Sequence, residues 1–281
     1  MVSITDLTFA FKKNHLLFNG LNLELQAGSI YGLFGLNGAG KTTLLNHISG
    51  LLFPKSGTCE ILGKSSRKRD PETLSELYVL PEQFDLPPIP AHSYVNIHAP
   101  FYPRFDEEYM KHSLMELLVE GDKNLNELSY GQRKKFLIAF ALATNARLLL
   151  MDEPTNGLDI PSKSQFRKIM AASDHSKRCV VISTHQVRDL EAMIDHLTVL
   201  NDGKIIFHQG IDNIAKKLSF EKIAEDDNRF VLYSEEIFGG KAAIIPKKTD
   251  SNETQIDLEL LFNGIIQKGD VINQQFVREA V

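Results

Sequence analysis

Gly35-Leu-Asn-Gly-Ala-Gly-Lys-Thr42 carries the clearest chemistry in this 281-residue sequence. It fits the pattern G-x-x-x-x-G-K-[ST]. Glycines let a backbone approach an anion closely, so the N–H groups of Gly38, Gly40 and Lys41 could wrap a phosphate. Lys41 would reach the β- and γ-phosphates of a nucleotide, and Thr42 offers a hydroxyl to Mg2+. A second group is Leu148-Leu-Leu-Met-Asp-Glu153, an apolar run that ends in two acids. Asp152 at such an end could hold Mg2+ through water, and Glu153 could polarise an attacking water. A third is Leu128-Ser-Tyr-Gly-Gln132, followed by the helical run RKKFLIAFALA. Ser129 is a good N-cap there, so another helix N-terminus would face outward.

These groups need elements to place them. Residues 2–9 and 21–26 read as strands, with Leu21, Leu23 and Leu25 alternating with Asn22 and Glu24. Ser29 to Phe34 reads as a strand that runs into the glycine-rich turn, and Lys41 to Ser49 as the helix after it, the context a phosphate loop requires. Further strands are expected at 58–62, 76–80, 147–151, 178–183, 196–200 and 204–208. Continuous apolar runs such as 148–151 suit strands covered on both faces, and strands alternating with helices give an α/β core.

Two stretches differ. Six of the eleven prolines fall between residues 81 and 103. The following FDEEYMKHSLMELLVEG places Met110, Leu114, Leu117 and Leu118 on one helical face. Residues 84–145 are therefore expected to form a mostly helical insert. Residues 218–281 hold 7 Lys and Arg against 12 Asp and Glu, so the whole net charge of −5 lies in this segment. An acidic balance argues against a general nucleic-acid binder. Cys59 and Cys179 are too few and too far apart for a disulfide scaffold or a metal cluster, which favours a reducing compartment. No run approaches the ~20 apolar residues of a membrane span, and no signal-peptide pattern opens the chain.

With these motifs in order, residues 1 to about 217 resemble the nucleotide-binding subunit of an ABC transporter. Gly35–Thr42 resembles that family's Walker A loop, Leu128–Gln132 its signature, and Leu150–Glu153 its Walker B strand. Gly157-Leu-Asp159 resembles the D-loop, and His185, in Ser-Thr-His, the switch histidine. There are two departures. Tyr130 stands where the family usually has glycine. After Tyr78-Val-Leu-Pro81, Glu82 comes first and Gln83 second, so either could be the Q-loop residue that watches metal and γ-phosphate. The resemblance implies an α/β P-loop NTPase of ABC ATPase type (1–217), with an antiparallel β subdomain and a helical subdomain (about 84–145), followed by a small C-terminal α+β extension (218–281) with an accessory or dimerisation role.

The resemblance also implies site residues. Glu153 and His185 would be catalytic. ATP would be bound by Phe11, Gly35, Leu36, Asn37, Gly38, Ala39, Gly40, Lys41, Thr42, Thr43, Glu82, Gln83, Ser129, Gly131, Gln132 and Asp159, with Ser129 and Gly131 of one chain capping the γ-phosphate held by the other. Mg2+ would be held by Thr42, Asp152 and Gln83. His15, His47, His92, His98, His112, His175, His196 and His208 have no such context and are expected at the surface or in the core. Two chains would pack head to tail around two ATP molecules. The partners implied are a second copy or a paralogous ATPase subunit, and transmembrane permease subunits, with no nucleic acid. The subunit would lie in the cytoplasm, on the inner face of the plasma membrane through the permease. The segments Phe101–Asp106 and Ile256–Phe262 resemble ATPases paired with ABC-2-type and bacitracin-type export permeases. A soluble ABC ATPase acting on ribosomes or nucleic acid is the alternative. Ribosome-acting members normally carry two cassettes per chain, and DNA-repair members split the cassette with a long coiled coil, for which the stretch from Thr42 to Ser129 leaves no room.

Overall fold

The computed structural model describes residues 1–12, 15–120, 123–191, 193–225, 227, 229–247 and 254–277. Residues 248–253 and 278–281 of the expected extension thus lie outside the described residues. The chain begins with β1 (Val2–Phe9) and β2 (Phe18–Leu25), then β3 (Ser29–Phe34), α1 (Lys41–Ile48), β4 (Ser56–Ile61), β5 (Lys64–Ser65), α2 (Pro71–Leu74) and β6 (Leu77–Leu80). Three helices follow, α3 (Ala91–His98), α4 (Glu107–Glu116) and α5 (Tyr130–Ala143), and then β7 (Leu148–Asp152), α6 (Ile160–Ala172) and β8 (Cys179–Thr184). The remainder is β9 (His196–Asn201), β10 (Lys204–Gly210), α7 (Ile211–Lys217), β11 (Leu218–Ile223), β12 (Tyr233–Ile237), β13 (Gly240–Pro246) and α8 (Leu258–Asn273).

The central sheet has the order β10-β9-β3-β8-β7-β6. Strands β9, β3, β8, β7 and β6 are parallel and β10 closes one edge antiparallel. Both faces are covered, which is why these strands read as continuous apolar runs. Ile30, Phe34, Leu149, Met151, Val180 and Ile182 face the core built with α5 and the C-terminal elements. Tyr31, Leu33, Leu148, Leu150 and Val181 face the core built with α1 and the antiparallel sheet β2-β1-β4-β5. In that second sheet Leu21, Leu23 and Leu25 are buried while Asn22 and Glu24 are exposed, as their alternation predicts.

The helical insert differs from its sequence reading at one residue. Helix α4 ends at Glu116, and Leu118 adopts φ +53 and is exposed, so it leaves the face that Met110 and Leu117 bury. Beyond that reading, helix α5 is buried at every residue from Lys134 to Ala143. The insert is therefore anchored in the main core at its C-terminal end.

The C-terminal extension forms the sheet β11-β13-β12 with α8 across it. Its Leu258, Leu260, Leu261, Phe262 and Ile265 belong to the same buried cluster as Phe34 and Met151. The Phe262 ring stands edge-on to Phe34, with centroids 6.4 Å apart. Asn273 Nδ2 donates to the Ile206 carbonyl at 2.9 Å, and Arg188 pairs with Glu259. The composition boundary near residue 217 is therefore crossed by packing. Truncating Phe262 to alanine should cost about 3–5 kcal/mol, as for a buried aromatic. Urea unfolding followed on the whole chain should show one transition moved to lower urea. An unmoved transition for the nucleotide-binding part would show that the extension folds as a separate unit.

Candidate nucleotide site

The parallel register sets Phe34 beside Thr184, Asp152 beside Ser183 and Leu80 beside Met151. The segments that leave these strands therefore open on one edge of the sheet, the carboxyl edge where α/β sheets bind ligands. They are the glycine-rich loop after β3, the acids at the end of β7, His185 after β8 and Glu82 after β6.

The loop after β3 leads into α1, whose N-terminal N–H groups give partial positive charge to the cleft. Gly40 caps the helix with φ +105, a conformation that side chains rarely adopt. At Gly35 a Cβ would stand 2.4 Å from the Leu200 carbonyl oxygen, so the loop can cross the end of β9 only without a side chain. Lys41 is buried, and its Nζ donates to the carbonyls of Gly35 at 2.7 Å and Leu36 at 3.4 Å. Burial lowers its pKa below the ordinary lysine value, while Glu153, Asp152 and Glu82 pull the other way.

Both acids are buried and held. The Asp152 carboxylate accepts from Thr42 Oγ1 at 2.6 Å and from the Ser183 hydroxyl. Glu153 adopts φ +48, which costs a non-glycine residue about 1–2 kcal/mol. Its own hydrogen bonds hold it there. Oε1 accepts from the His185 backbone N–H at 3.0 Å and lies 2.7 Å from His185 Nδ1, and Oε2 accepts from Thr184 Oγ1 at 3.1 Å. Beneath the turn, Lys134 Nζ donates to the carbonyls of Glu153 at 2.6 Å and Asn156 at 2.9 Å. Burial pushes the pKa of Lys134 down to about 8, against the pull of Glu82, Glu153 and Asp152.

The cleft so formed has a volume of about 740 Å³. Its wall includes Phe11, Asn37, Gly38, Ala39, Gly40, Lys41, Thr42, Thr43, Glu82, Asp152, Glu153 and His185. Phe11 is exposed at its mouth and packs edge-on against Phe9, with centroids 4.9 Å apart. Gly35 and Leu36 shape the loop without lining the cleft, and Gln83 is exposed outside it. Ser129, Gly131, Gln132 and Asp159 also lie outside the cleft of their own chain. Ser129 caps α5 by accepting from the Gln132 N–H at 3.2 Å, and Asp159 caps α6 by accepting from Ser162 N–H at 2.9 Å.

Sequence reasoning missed several residues. His15, expected at the surface or in the core, lines the cleft with Lys12 and Leu17. Ser183 and Thr184 orient the two carboxylates, and Lys134 and Asn156 hold the turn after them. Hydroxyls in the Ile-Ser-Thr-His stretch were the available signal, but their target shows only once β8 is set beside β7. His47 meets the core expectation, packed edge-on against Phe9 with centroids 4.5 Å apart.

Residues 18–156 match the family model described as ABC transporter. The chain is 30% identical over 249 residues to the bacitracin transport ATP-binding protein BcrA of Bacillus licheniformis, across 85% of this chain and 79% of that one. The chain belongs to the ABC transporter family, as an ATP-binding subunit. It is also 30% identical over 199 residues to Nod factor export ATP-binding protein I of Cupriavidus metallidurans, across 69% of this chain and 66% of the relative. In fold it is similar to a dimeric ATP-binding cassette in a post-hydrolysis state bound to ADP and Pi. That likeness has a TM-score of 0.65 and 24% identity, and covers 75% of this chain and 99% of the other.

The subunit is thus an ATPase that binds and hydrolyses ATP to power a transporter. Among the described residues no helix is long and apolar enough to cross a membrane. If Thr184 orients Glu153, Thr184→Val should keep ATP affinity and lower kcat about three- to ten-fold, the range of one lost hydrogen bond. Unchanged turnover would remove Thr184 from the catalytic arrangement.

Proposed function

We propose that the subunit binds ATP in the 740 Å³ cleft and hydrolyses it with Glu153 as general base and His185 as its partner at the γ-phosphate. The observation that carries this reading is the buried Glu153 carboxylate, held between His185 and Thr184 at the edge of the phosphate loop. Glu153 accepts the proton of the attacking water. The His185 ring, held through Nδ1, lines the cleft and leaves its other nitrogen for the phosphate. Lys41 and the N–H groups of Gly38 and Gly40 carry the phosphate charge. Phe11 offers the base an aromatic face at the mouth of the cleft. Hard oxygen donors suit Mg2+, and the Thr42 hydroxyl and Asp152 carboxylate lie side by side at 2.6 Å, so these two residues would hold it and it would offset charge on the phosphates. Of the two Q-loop candidates Glu82 is favoured, because it lines the cleft and Gln83 does not.

Ser129, Gly131, Gln132 and Asp159 form a second surface, away from the cleft of their own chain. Two copies packed head to tail would bring this surface onto the phosphates held by the partner. ATP would then act as the adhesive between them, favouring the closed state by binding it better. The dimeric form of the structurally similar cassette supports this arrangement. Glu153→Gln keeps the shape and most hydrogen bonds but loses the base. It should bind ATP, slow turnover by at least about a hundred-fold and elute as a dimer in ATP on size exclusion. Near-normal turnover would move the base elsewhere.

The transporter is an exporter, a reading supported by the Nod factor export relative. Its permease would dock on the segment after Glu82 and hold the subunit at the cytoplasmic face. A cleft of about 300 Å³ there is lined by Pro81, Phe84, Leu86, Tyr94, Phe101 and Tyr102, with Phe101 68% exposed. Phe101→Glu should spare the ATPase activity of the isolated subunit and abolish co-purification with the permease. A variant that still co-purifies places the contact elsewhere. The boundary between a cassette of residues 1–217 and an accessory extension of residues 218–281 remains part of this proposal.

A further inference from the structure

The two departures from the family pattern, Tyr130 and Glu82, touch each other. Tyr130 OH donates to the Glu82 backbone carbonyl at 2.8 Å. The Tyr130 ring stacks on Phe84, two residues further on, with centroids 5.3 Å apart and planes 16° apart. Its other surroundings are as close. Lys134 Nζ lies 5.5 Å from the ring centroid, and a Cβ added to Gly157 would come within 2.8 Å of Tyr130 Cε1. On the far side, Asn156 Nδ2 donates to Glu82 Oε1 at 3.0 Å. Glu82 is therefore gripped at its backbone by Tyr130 and at its carboxylate by Asn156. Lys134, against the Tyr130 ring, donates to the carbonyl of the same Asn156.

We propose that Tyr130 is a positioning residue that sets the Glu82 carboxylate in the phosphate cleft. This rests on the reading of Glu82 as the residue that faces the γ-phosphate. A glycine at position 130 could supply neither the hydroxyl nor the stacking surface. The chain thus ties the segment after β6 to the N-terminus of α5 within one subunit. Tyr130 adjoins Ser129, so the tie joins the residue that reads a nucleotide in its own cleft to the surface offered to a second chain. A shift of Glu82 toward a bound phosphate would pull on the α5 N-terminus through one hydrogen bond and one ring stack.

The test uses four full-length proteins, wild type, Tyr130→Phe, Glu82→Ala and the double variant, each with its thermal midpoint measured first. Tyr130→Phe keeps the ring and loses only the donor, so its midpoint should stay near wild type. Calorimetric ATP binding in excess Mg2+ should weaken about three- to ten-fold, the reach of one neutral hydrogen bond. KM should rise accordingly and kcat should change less. Glu82→Ala should weaken binding at least as much, and adding Tyr130→Phe to it should cost nothing more. Asn156→Ala, which removes the other grip on Glu82, should behave like Tyr130→Phe. An equal loss from Tyr130→Phe with and without the Glu82 side chain overturns the proposal while leaving Glu82 as the phosphate-facing residue. So does wild-type binding by Tyr130→Phe. Wild-type binding by Glu82→Ala overturns the reading of Glu82 itself, and the proposal with it.

Discussion

The parallel register of β3, β8 and β7 is the constraint on which the rest of this molecule depends. Sliding β8 by one residue against its neighbours would turn its side chains to the opposite faces. Ser183 would leave Asp152 and Thr184 would leave Glu153. The register is held by close packing on both faces, by α5 and the extension on one side and by α1 on the other, since a slip would exchange side chains of different shape between the two cores. The fit of apolar side chains across the sheet thus fixes polar geometry at its edge.

That edge gathers charge at low exposure. Asp152 and Glu153 are 4% and 5% exposed, Lys41 is 8% exposed and Lys134 is fully buried. Unpaired, each would be costly to bury. Here every one has hydrogen-bond partners, and the opposite charges lie close enough to offset one another. The arrangement resists rearrangement, because removing one member leaves the others buried without compensation. A strained backbone at Glu153 persists for the same reason, since its turn is held from above by His185 and from below by Lys134.

Much of this was legible in the sequence, and the reasons differ by element. Strands came from period-2 alternation and apolar runs, and the phosphate loop from glycine spacing before a helix. The pair Asp152 and Glu153 could be read because an apolar strand ends in acids. Contacts between distant segments were not legible. Nothing in the spacing shows that Ser183 meets Asp152, that His15 reaches the cleft or that Tyr130 meets Glu82, because these depend on how strands and loops are set side by side. Leu118 was misplaced because helical periodicity does not mark where a helix stops, and the chain there turns left-handed. Tail composition marked the segment but not its packing, because charge reports on the exposed face of a segment and not on the face it buries.

The seating of α8 against Phe34 has a consequence for how the chain comes to be made. Translation delivers β3 and the phosphate loop early, and segments of a growing chain fold in the order in which they emerge. Phe262, edge-on to Phe34, sits on α8, far later in the chain. Until that helix docks, the part of this face of β3 that α5 does not cover stays open. The nascent chain therefore carries its nucleotide-binding loop on an unfinished support while everything between β3 and α8 is being made.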